Sequence, residues 1–351
     1  MKPLFKVLLL AIMVVLLCNC EKEDPYVDFA DDAFLNYLII LGIDVNNDGK
    51  ISYAEAEDVH SLNIKYYPLT DVSGITAFKN LDTLICEMNL LTSLDVSHMR
   101  NLVYLDCYSN ALTDLDISSN KLLKYLNCSV NKITHLDVSK NLALEYLECW
   151  ENQFTALDLS YNVMLEDLSC SYNSLNELDI SNNLMLTKLS CSDISITSLD
   201  ISKNILLSRL DCSYNKLTTI DLSAQYALEE LYCYFNLLTS LDITTNTALE
   251  KLHCEFNQLT TLNTSGNTNL SRLFCTDNVI TTLDVSNSPN LTWLECSGNL
   301  LVGLDLTNNT ELDDLRIMNM PSLNSVCVFK IPHLLYTEGS PNVNISTDCS
   351  N

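Results

Sequence analysis

Cysteine recurs at one fixed interval through most of this chain. Eleven cysteines follow one another at 21-residue steps, and Ile317 takes the next place in the series. Repetition at a period of 20–50 residues is typical of solenoids, in which each repeat buries its apolar side only against its neighbours. The period therefore predicts a stacked repeat fold. The cysteines are Cys86, Cys107, Cys128, Cys149, Cys170, Cys191, Cys212, Cys233, Cys254, Cys275 and Cys296.

One repeat shows how a coil is built. Leu105 and Cys107 lie two residues apart on a predicted short strand, so both side chains point to the same side, into the core. Asn110 ends the strand, where its amide can bond backbone groups that have no strand partner. Stacked asparagines at this position predict a hydrogen-bonded ladder along the strand ends. Ile194 and Met320 occupy two asparagine positions and break it. The opposite wall of the core is assigned to Leu112, Leu115 and Ile117.

The segment Leu102-x-x-Leu105-x-Cys107-x-x-Asn110-x-Leu112 resembles the leucine-rich-repeat pattern L-x-x-L-x-L-x-x-N-x-L, with cysteine in the third leucine place. The rest of the coil is similar to the short-repeat bacterial relatives of internalins. This resemblance covers roughly residues 59–320. It implies a mainly β repeat solenoid, a right-handed coil with parallel strands on its concave face and a small helical N-terminal cap.

Six segments follow from these patterns. We predict a degenerate first repeat because Val59, Leu62 and Ile64 precede equivalent apolar positions by 22 residues. The predicted segments are 1–19 signal peptide, 20–30 lipidated tether, 31–60 helical cap, 61–80 degenerate repeat, 81–320 repeats and 321–351 C-terminal cap.

The N-terminal sequence predicts where in the cell the protein is located. Lys2 and Lys6 precede an apolar run, 7–17, that is too short for a permanent membrane span and is typical of a signal peptide. It resembles a bacterial lipoprotein signal, which implies lipidation of Cys20, with Cys18 as the alternative site. An ordinary secreted protein with a cleaved leader is the other alternative. The charged run 21–24 is similar to the tethers of surface lipoproteins in Bacteroidota-type bacteria. We therefore expect an outer-membrane, surface-exposed protein that contacts the membrane only through its lipid.

Charge and motifs narrow the function. Without the two leader lysines, 17 basic residues stand against 45 acidic ones, a net charge of −28. Such a surface repels phosphate backbones, so we expect no nucleic-acid partner. The five histidines are scattered, and there is no nucleophile elbow or phosphate-binding glycine loop. The sequence thus predicts a protein that is not an enzyme.

The cysteine file allows two interpretations. Eleven thiols in a row could bind soft metals, but they share the register of the buried leucines, where cysteine packs as a small hydrophobe. Zinc-type paired spacings are absent from the repeats, so packing is favoured. Cys327 and Cys349 lie outside the register and are predicted to form a disulfide in an oxidising compartment, with two unpaired thiols as the alternative.

A file of aspartates is predicted on the convex side. They alternate with inward apolar residues, and the Ser or Thr two positions on is the expected hydrogen-bond partner of each carboxylate. Turn stabilisation is favoured over a cation-binding stripe. The file is Asp95, Asp116, Asp137, Asp158, Asp179, Asp200, Asp221, Asp242, Asp284 and Asp305, with Asn263 in the gap.

Residues 44–55 match the calcium-loop pattern D-x-[DN]-x-[DN]-G-x5-E in full, with Gly49 at the sharp turn. The segment resembles a single EF-hand-like or dockerin-like loop. A structural calcium ion that stiffens the cap is the resulting expectation, and a metal-free turn of the same shape is the alternative. The predicted ligands are Asp44, Asn46, Asp48, the Lys50 carbonyl, Ser52 and Glu55.

Aromatic residues recur at outward positions of the concave strands, in two clusters that flank a basic stretch. Exposed aromatics anchor protein interfaces and stack on sugars, although neighbouring rings can also simply cover one another on a sheet. We predict a cell-surface binding or adhesion protein for a protein or glycan. The alternative is an envelope spacer or self-association module without a specific ligand. The candidate residues are Tyr104, Tyr108, Tyr125, Tyr146, Trp150, Tyr232, Tyr234, His253, Phe274 and Trp293.

Overall fold

The computed structural model describes residues 25–349, so the leader and Cys20 lie outside the described residues. The chain begins with a small helical cap, comprising α1 (Asp32–Ile40) and α2 (Tyr53–Glu57). Asp31 caps α1 by accepting a hydrogen bond from the Ala33 N–H at 2.7 Å, and α1 buries Phe34 and Leu38 against the first coil. A 3-10 helix, Ile75–Ala77, completes the first return.

The body is a solenoid of parallel strands, as the repeat predicts. Its main sheet has fourteen strands, ordered β1–β10, β12, β14, β16 and β18. Their bounds are β1 Ser61–Asn63, β2 Thr83–Ile85, β3 Tyr104–Asp106, β4 Tyr125–Asn127, β5 Tyr146–Glu148, β6 Asp167–Ser169, β7 Lys188–Ser190, β8 Arg209–Asp211, β9 Glu230–Tyr232, β10 Lys251–His253, β12 Arg272–Phe274, β14 Trp293–Glu295, β16 Asp314–Arg316 and β18 Leu334–Tyr336.

Two smaller sheets form on the opposite side of the last coils. The first joins β11 (Leu262–Asn263) to β13 (Leu283–Asp284). The second has the order β15 (Gly303–Leu306), β17 (Ser325–Val328) and β19 (Asn344–Ser346). Because β18 extends the main sheet, the segment predicted as the C-terminal cap contains a further coil of the solenoid.

The core is one continuous column along the solenoid axis. In the coil of β3, Leu105, Cys107 and Leu112 are fully buried, and Leu115 and Ile117 are nearly so. Each fully buried leucine contributes about 1.5–3 kcal/mol relative to exposure. The eleven repeat cysteines are buried and unpaired, as their register with the leucines predicts.

The predicted asparagine ladder is present along the strand ends. Asn110 shows its geometry: its Nδ2 donates to the carbonyls of Cys86 and Cys107 at 3.0 and 3.1 Å. Its Oδ1 accepts from the Leu91 N–H at 3.1 Å. Each asparagine therefore bonds its own coil and the preceding one.

The two breaks in this ladder are repaired in different ways. At Ile194, the Asn176 N–H donates directly to the Ile194 carbonyl at 2.9 Å, and Asn176 adopts a left-handed φ of 60° to do so. At Met320, the side chain of Ser340 takes over, accepting from the Met320 N–H and donating to the Ile317 carbonyl.

A second amide ladder lies before the strands, and the sequence analysis did not identify it. The Nδ2 of Asn141 donates to the carbonyls of Ile117 and Asn120, at 3.1 and 2.9 Å, so this ladder also links successive coils. Its members are buried: Asn120, Asn141, Asn162, Asn183, Asn204, Gln225, Asn246, Asn267, Ser288 and Asn309.

The aspartate file faces outward and stabilises turns. Asp116 is typical, since its Oδ1 accepts from the Ser118 N–H at 2.9 Å. Hydrogen bonds from the side chain and backbone of Ser118 hold the pKa of Asp116 below its ordinary value. The predicted role of this file in the turns is confirmed.

Candidate functional site

The concave face carries the outward side chains of the main sheet, because alternate residues of each strand point away from the core. On this face lie both predicted aromatic clusters. We call Tyr104, Tyr108, Tyr125, Tyr146 and Trp150 the N-terminal cluster. Tyr232, Tyr234, His253, Phe274 and Trp293 form the C-terminal cluster.

Rings of the N-terminal cluster are only partly covered by one another. Tyr104 and Tyr125 stack with centroids 4.2 Å apart, but Tyr125 and Tyr146 are tilted, at 6.3 Å. Tyr108 and Trp150 meet at 5.8 Å. The side chain of Tyr146 is 38% exposed, so the cluster presents aromatic surface to solvent.

Acidic side chains lie among these rings. Glu148 accepts a hydrogen bond from the Tyr125 hydroxyl at 3.2 Å, and Asp106 accepts from the Tyr108 N–H at 3.0 Å. Burial, followed by the negative charges of Glu87 and Glu148, raises the pKa of Asp106 to about 6. The N-terminal cluster is therefore an aromatic surface with incompletely neutralised negative charge.

A polar depression of about 460 Å³ separates the two clusters. Small serines open it, because Ser169 and Ser190 occupy places that large side chains fill in neighbouring coils. Its charged lining includes Lys188, whose Nζ lies 3.8 Å from Asp167 Oδ2. The sequence analysis missed this depression, and the only signal was a run of small residues at outward strand positions.

The C-terminal cluster is an almost continuous stack of rings. His253 stacks on Tyr232 at 4.8 Å and on Phe274 at 4.2 Å, and Phe274 meets Trp293 at 4.9 Å. Phe274, which we expected to contact a partner, is only 8% exposed because its two neighbours cover its ring. That expectation of an accessible Phe274 is corrected here.

Arginines close both ends of this stack. Arg209 lies over the Tyr232 ring at 4.7 Å and Arg316 over the Trp293 ring at 4.8 Å. Glu230 in turn pairs with Arg209 and Lys251. Burial alone would raise the pKa of Glu230, but hydrogen bonds from Lys251 and Tyr232 and the charge of Arg209 lower it overall.

The candidate calcium loop bonds its own backbone. Asp44 accepts from the N–H groups of Asp48 and Gly49, at 3.1 and 2.9 Å. Glu55 accepts from the Val45 N–H at 2.9 Å and forms a capping box with Ser52. Three further side-chain oxygens accept hydrogen bonds from the loop backbone. Asn46 accepts from the Asp48 N–H, Asp48 from the Lys50 N–H, and Ser52 from the Glu55 N–H. Between residues 25 and 349, no group of three or more His, Cys, Asp or Glu side chains is arranged to hold a metal.

Within residues 25–349, the two cysteines that lie outside the repeat register are paired. Cys327 lies on β17 and Cys349 follows β19, with Cα atoms 5.9 Å apart, and a disulfide joins them. The ladder thiols differ, since burial raises the pKa of Cys128, Cys170 and Cys296 to about 12. Among the described residues, no helix has the length and apolar character needed to cross a membrane.

The fold resembles solved leucine-rich-repeat structures. The functional domain of InlJ from Listeria monocytogenes, which includes a cysteine ladder, is 34% identical over 85% of this chain and 71% of that domain, with a TM-score of 0.63. Internalin inlF from Listeria monocytogenes is 19% identical, covering 92% of this chain and 96% of its own, with a TM-score of 0.72. A Leptospira interrogans leucine-rich-repeat protein is 21% identical over 84% of this chain and 93% of its own, with a TM-score of 0.62.

No family model matches the sequence, and a search of curated proteins gives no match.

Proposed function

Because the chain belongs to the internalin-type leucine-rich-repeat proteins, we propose that it is a cell-surface adhesion protein that binds a protein or glycan through its concave face. Its fold is that of a repeat module of the protein-interaction or adhesion type. We propose no catalytic reaction and no nucleic-acid partner for it.

The observation that carries this proposal is the exposed N-terminal cluster beside a polar depression. A cluster that served only the sheet would cover its rings, as the C-terminal cluster covers Phe274, and would leave none of them exposed. Tyr146 is instead exposed, and Glu148 on the same strand lines the depression together with ion pairs and serine hydroxyls. Aromatic anchors next to polar groups are typical of binding surfaces. Tyrosine and tryptophan rings can stack on sugars, and the nearby acids favour a partner that supplies cations or hydrogen-bond donors.

The test is a triple variant, Tyr125→Ser, Tyr146→Ser and Trp150→Ser. We expect binding to host and bacterial surface proteins, or to a glycan array, to fall at least about tenfold, because interface aromatics carry much of the affinity. The matched control is Phe329→Ser with Ile331→Ser, which removes exposed apolar side chains from the C-terminal end. Unchanged binding by the triple variant, with a lowered melting temperature, would contradict the proposal.

An envelope spacer remains the second candidate, and the C-terminal cluster favours it. There the rings are covered by one another and by arginines, an arrangement that stabilises the sheet without a ligand. The triple variant separates the two functions, since a spacer would keep its surface assembly after losing the exposed tyrosines.

We further propose that a lipid on Cys20 anchors the mature chain to the outer membrane. The support is the leader sequence, with its two lysines and short apolar run. Cys20→Ser should move the protein from the detergent phase to the aqueous phase, whereas Cys18→Ser should leave it in the detergent phase. The reverse result would assign the lipid to Cys18.

We also propose that the loop 44–55 binds one structural calcium ion. The loop offers only oxygen donors, the ligand type that a hard cation prefers, although they accept hydrogen bonds from backbone N–H groups in the geometry described above. Asn47 and Gly49 adopt the left-handed φ values, 60° and 82°, of a tightly folded loop. When bound, calcium would be held by Asp44, Asn46, Asp48, the Lys50 carbonyl, Ser52 and Glu55, and it would neutralise their charge.

Glu55→Gln is the sharpest test of calcium binding, because glutamine preserves the capping box of α2 while removing the charged ligand. We expect calorimetric heat on calcium addition to the wild type and at least about tenfold weaker binding in the variant. Absence of heat in the wild type would contradict calcium binding.

A further inference from the structure

An apolar stripe runs along one edge of the solenoid, outside the concave face. It consists of the two-residue turns that precede six consecutive strands, at 121–122, 142–143, 163–164, 184–185, 205–206 and 226–227. Leu142, Val163, Leu184 and Ile205 are 50–55% exposed, and Tyr226 is 65% exposed. We call these six turns the lateral stripe.

The stripe is continuous because hydrogen bonds between coils hold each turn from both sides. Before the turn, the Asn141 side chain bonds the Asn120 carbonyl at 2.9 Å. After it, the Glu145 N–H bonds the Lys124 carbonyl at 2.9 Å. Adjacent parallel strands are about 4.8 Å apart, so the six turns span roughly 25 Å.

The fold does not require apolar residues in these turns. The equivalent turns on both sides of the stripe contain no large apolar side chain. Arg100 and Asn101 lie before it, Thr247 and Ala248 directly after it, and Thr268 and Asn269 one coil further. Those coils keep the same strand pairing and the same buried leucines. The packing of the coil therefore does not explain why these six turns carry apolar residues.

Its size exceeds that of an ordinary surface patch. Nine large apolar side chains, each about half exposed, present on the order of 800 Å², against roughly 300–600 Å² for the largest patch of a typical monomer. A stable interface buries roughly 800 Å² on each partner, so the stripe has the area that a dimer needs.

We propose that the lateral stripe is an interface between two copies of this chain, packed antiparallel about a two-fold axis. The axis would pass between the turns at 163–164 and 184–185. The first turn of one copy then faces the sixth of the other, the second faces the fifth and the third faces the fourth. The concave face stays open in this arrangement, and the proposal does not depend on what that face binds.

The side chains of the stripe are complementary in size to those of a second copy in reversed orientation. Antiparallel pairing places Leu142 against Ile205 of the second copy, and Met164 against Met185. The small residues also fall opposite large ones, since Ala143 faces Leu206. The turn at 121–122 likewise places Leu122 against Ala227. Such alternation lets two rows of side chains interdigitate.

Charges at the ends of the stripe are complementary as well. Lys124 occupies the position that Glu229 occupies five coils along, and the reversed copy brings these two exposed residues together. Lys121 meets Tyr226 in the same way, an arrangement suited to a cation–π contact. Lys140 and Lys203 would face each other at the outer rim, where water and salt screen like charges.

The experiment is sedimentation velocity on the full chain over a range of concentrations. The variant combines Val163→Thr, Met164→Asn, Leu184→Thr and Met185→Asn, which copies the chain's own polar turn at 268–269 and should therefore fold. We expect the wild type to dimerise and the variant to lose affinity by at least about 100-fold. A wild type that stays monomeric at about 100 µM would overturn the proposal.

The matched control is Leu237→Gln with Leu300→Gln, which copies Gln258 at the same coil position on a different side of the solenoid. It should leave the dimer unchanged, and equal loss in the control and the variant would contradict the assignment to the stripe. A charge exchange tests the register: Lys124→Glu and Glu229→Lys should each weaken the dimer several-fold, and the double variant should recover affinity. No recovery would contradict the antiparallel arrangement.

Discussion

The two aromatic clusters of the concave face have similar compositions but different packing. In the C-terminal cluster, Phe274 is sandwiched by His253 and Trp293, and arginines cover the ends of the stack. In the N-terminal cluster, the ring of Tyr146 is tilted away and exposed. The difference shows that an aromatic residue at an outward strand position does not by itself indicate exposed surface. Its ring is exposed only where the rings on neighbouring strands leave it uncovered.

The two clusters also differ in how far their negative charges are neutralised. Glu230 beside the C-terminal cluster is paired with two cations, whereas Asp106 in the N-terminal cluster is surrounded by further acids. Charge is therefore neutralised by cations of the protein at one cluster and only partly neutralised at the other.

The largest expected effect distinguishes stabilising rings from exposed ones. Phe274→Ala should lower the free energy of unfolding by about 3 kcal/mol, because it removes a buried ring between two others. Tyr146→Ala should lower it by less than about 1 kcal/mol. Denaturation in urea measures both. Equal losses at the two positions would show that the clusters do not differ in the way we describe.

A second prediction uses pH. The folded pKa of Asp106 is raised to about 6, so the folded state holds this proton more tightly than the unfolded state. Stability should therefore fall as pH rises from about 4 through 6, by roughly 1 kcal/mol after allowance for solvent screening.

Asp106→Asn should remove this dependence and raise stability at pH 7. Glu230→Gln should do the opposite, because a lowered folded pKa stabilises the protein above the unfolded value and loses that effect as pH falls. Melting temperatures of both variants between pH 4 and 8 test the pair. If Asp106→Asn leaves the pH dependence intact, another group is responsible for it.

The smallest expected effect concerns the arginines that close the stack. Arg316→Gln and Arg209→Gln should each cost about 0.5–1 kcal/mol, the range of partly exposed cation–π contacts. Arg272→Gln is the matched control, since Arg272 is exposed on the same face and no ring contact involves it within residues 25–349. Similar losses in all three variants would indicate a general charge effect.

The sequence predicted the fold well because the 21-residue period records the stacking of coils directly. The convex aspartates were also predictable, since their partners lie two residues away. Other features were not predicted from the sequence. Asn120 and its equivalents lie between the aspartate turn and the turn of the lateral stripe. They look like loop residues, so their burial in a second ladder gave no separate signal.

The concave face was predicted only in part. Strand alternation identifies the side to which a residue points, but it does not give the tilt of a ring toward the next coil. Phe274 and Tyr146 therefore looked alike. The lateral stripe was missed because Leu122 directly precedes the buried Leu123, and exposed and buried apolar residues in one turn form a single apolar run.

The cysteine ladder has a consequence for how unfolding can be observed. Each of eleven successive coils contains one buried thiol, and burial holds its pKa above the ordinary value. A thiol reagent can react with such a side chain only when its own coil opens. The ladder therefore acts as a built-in set of position markers, and pulse labelling followed by peptide mapping would report the order in which the coils detach.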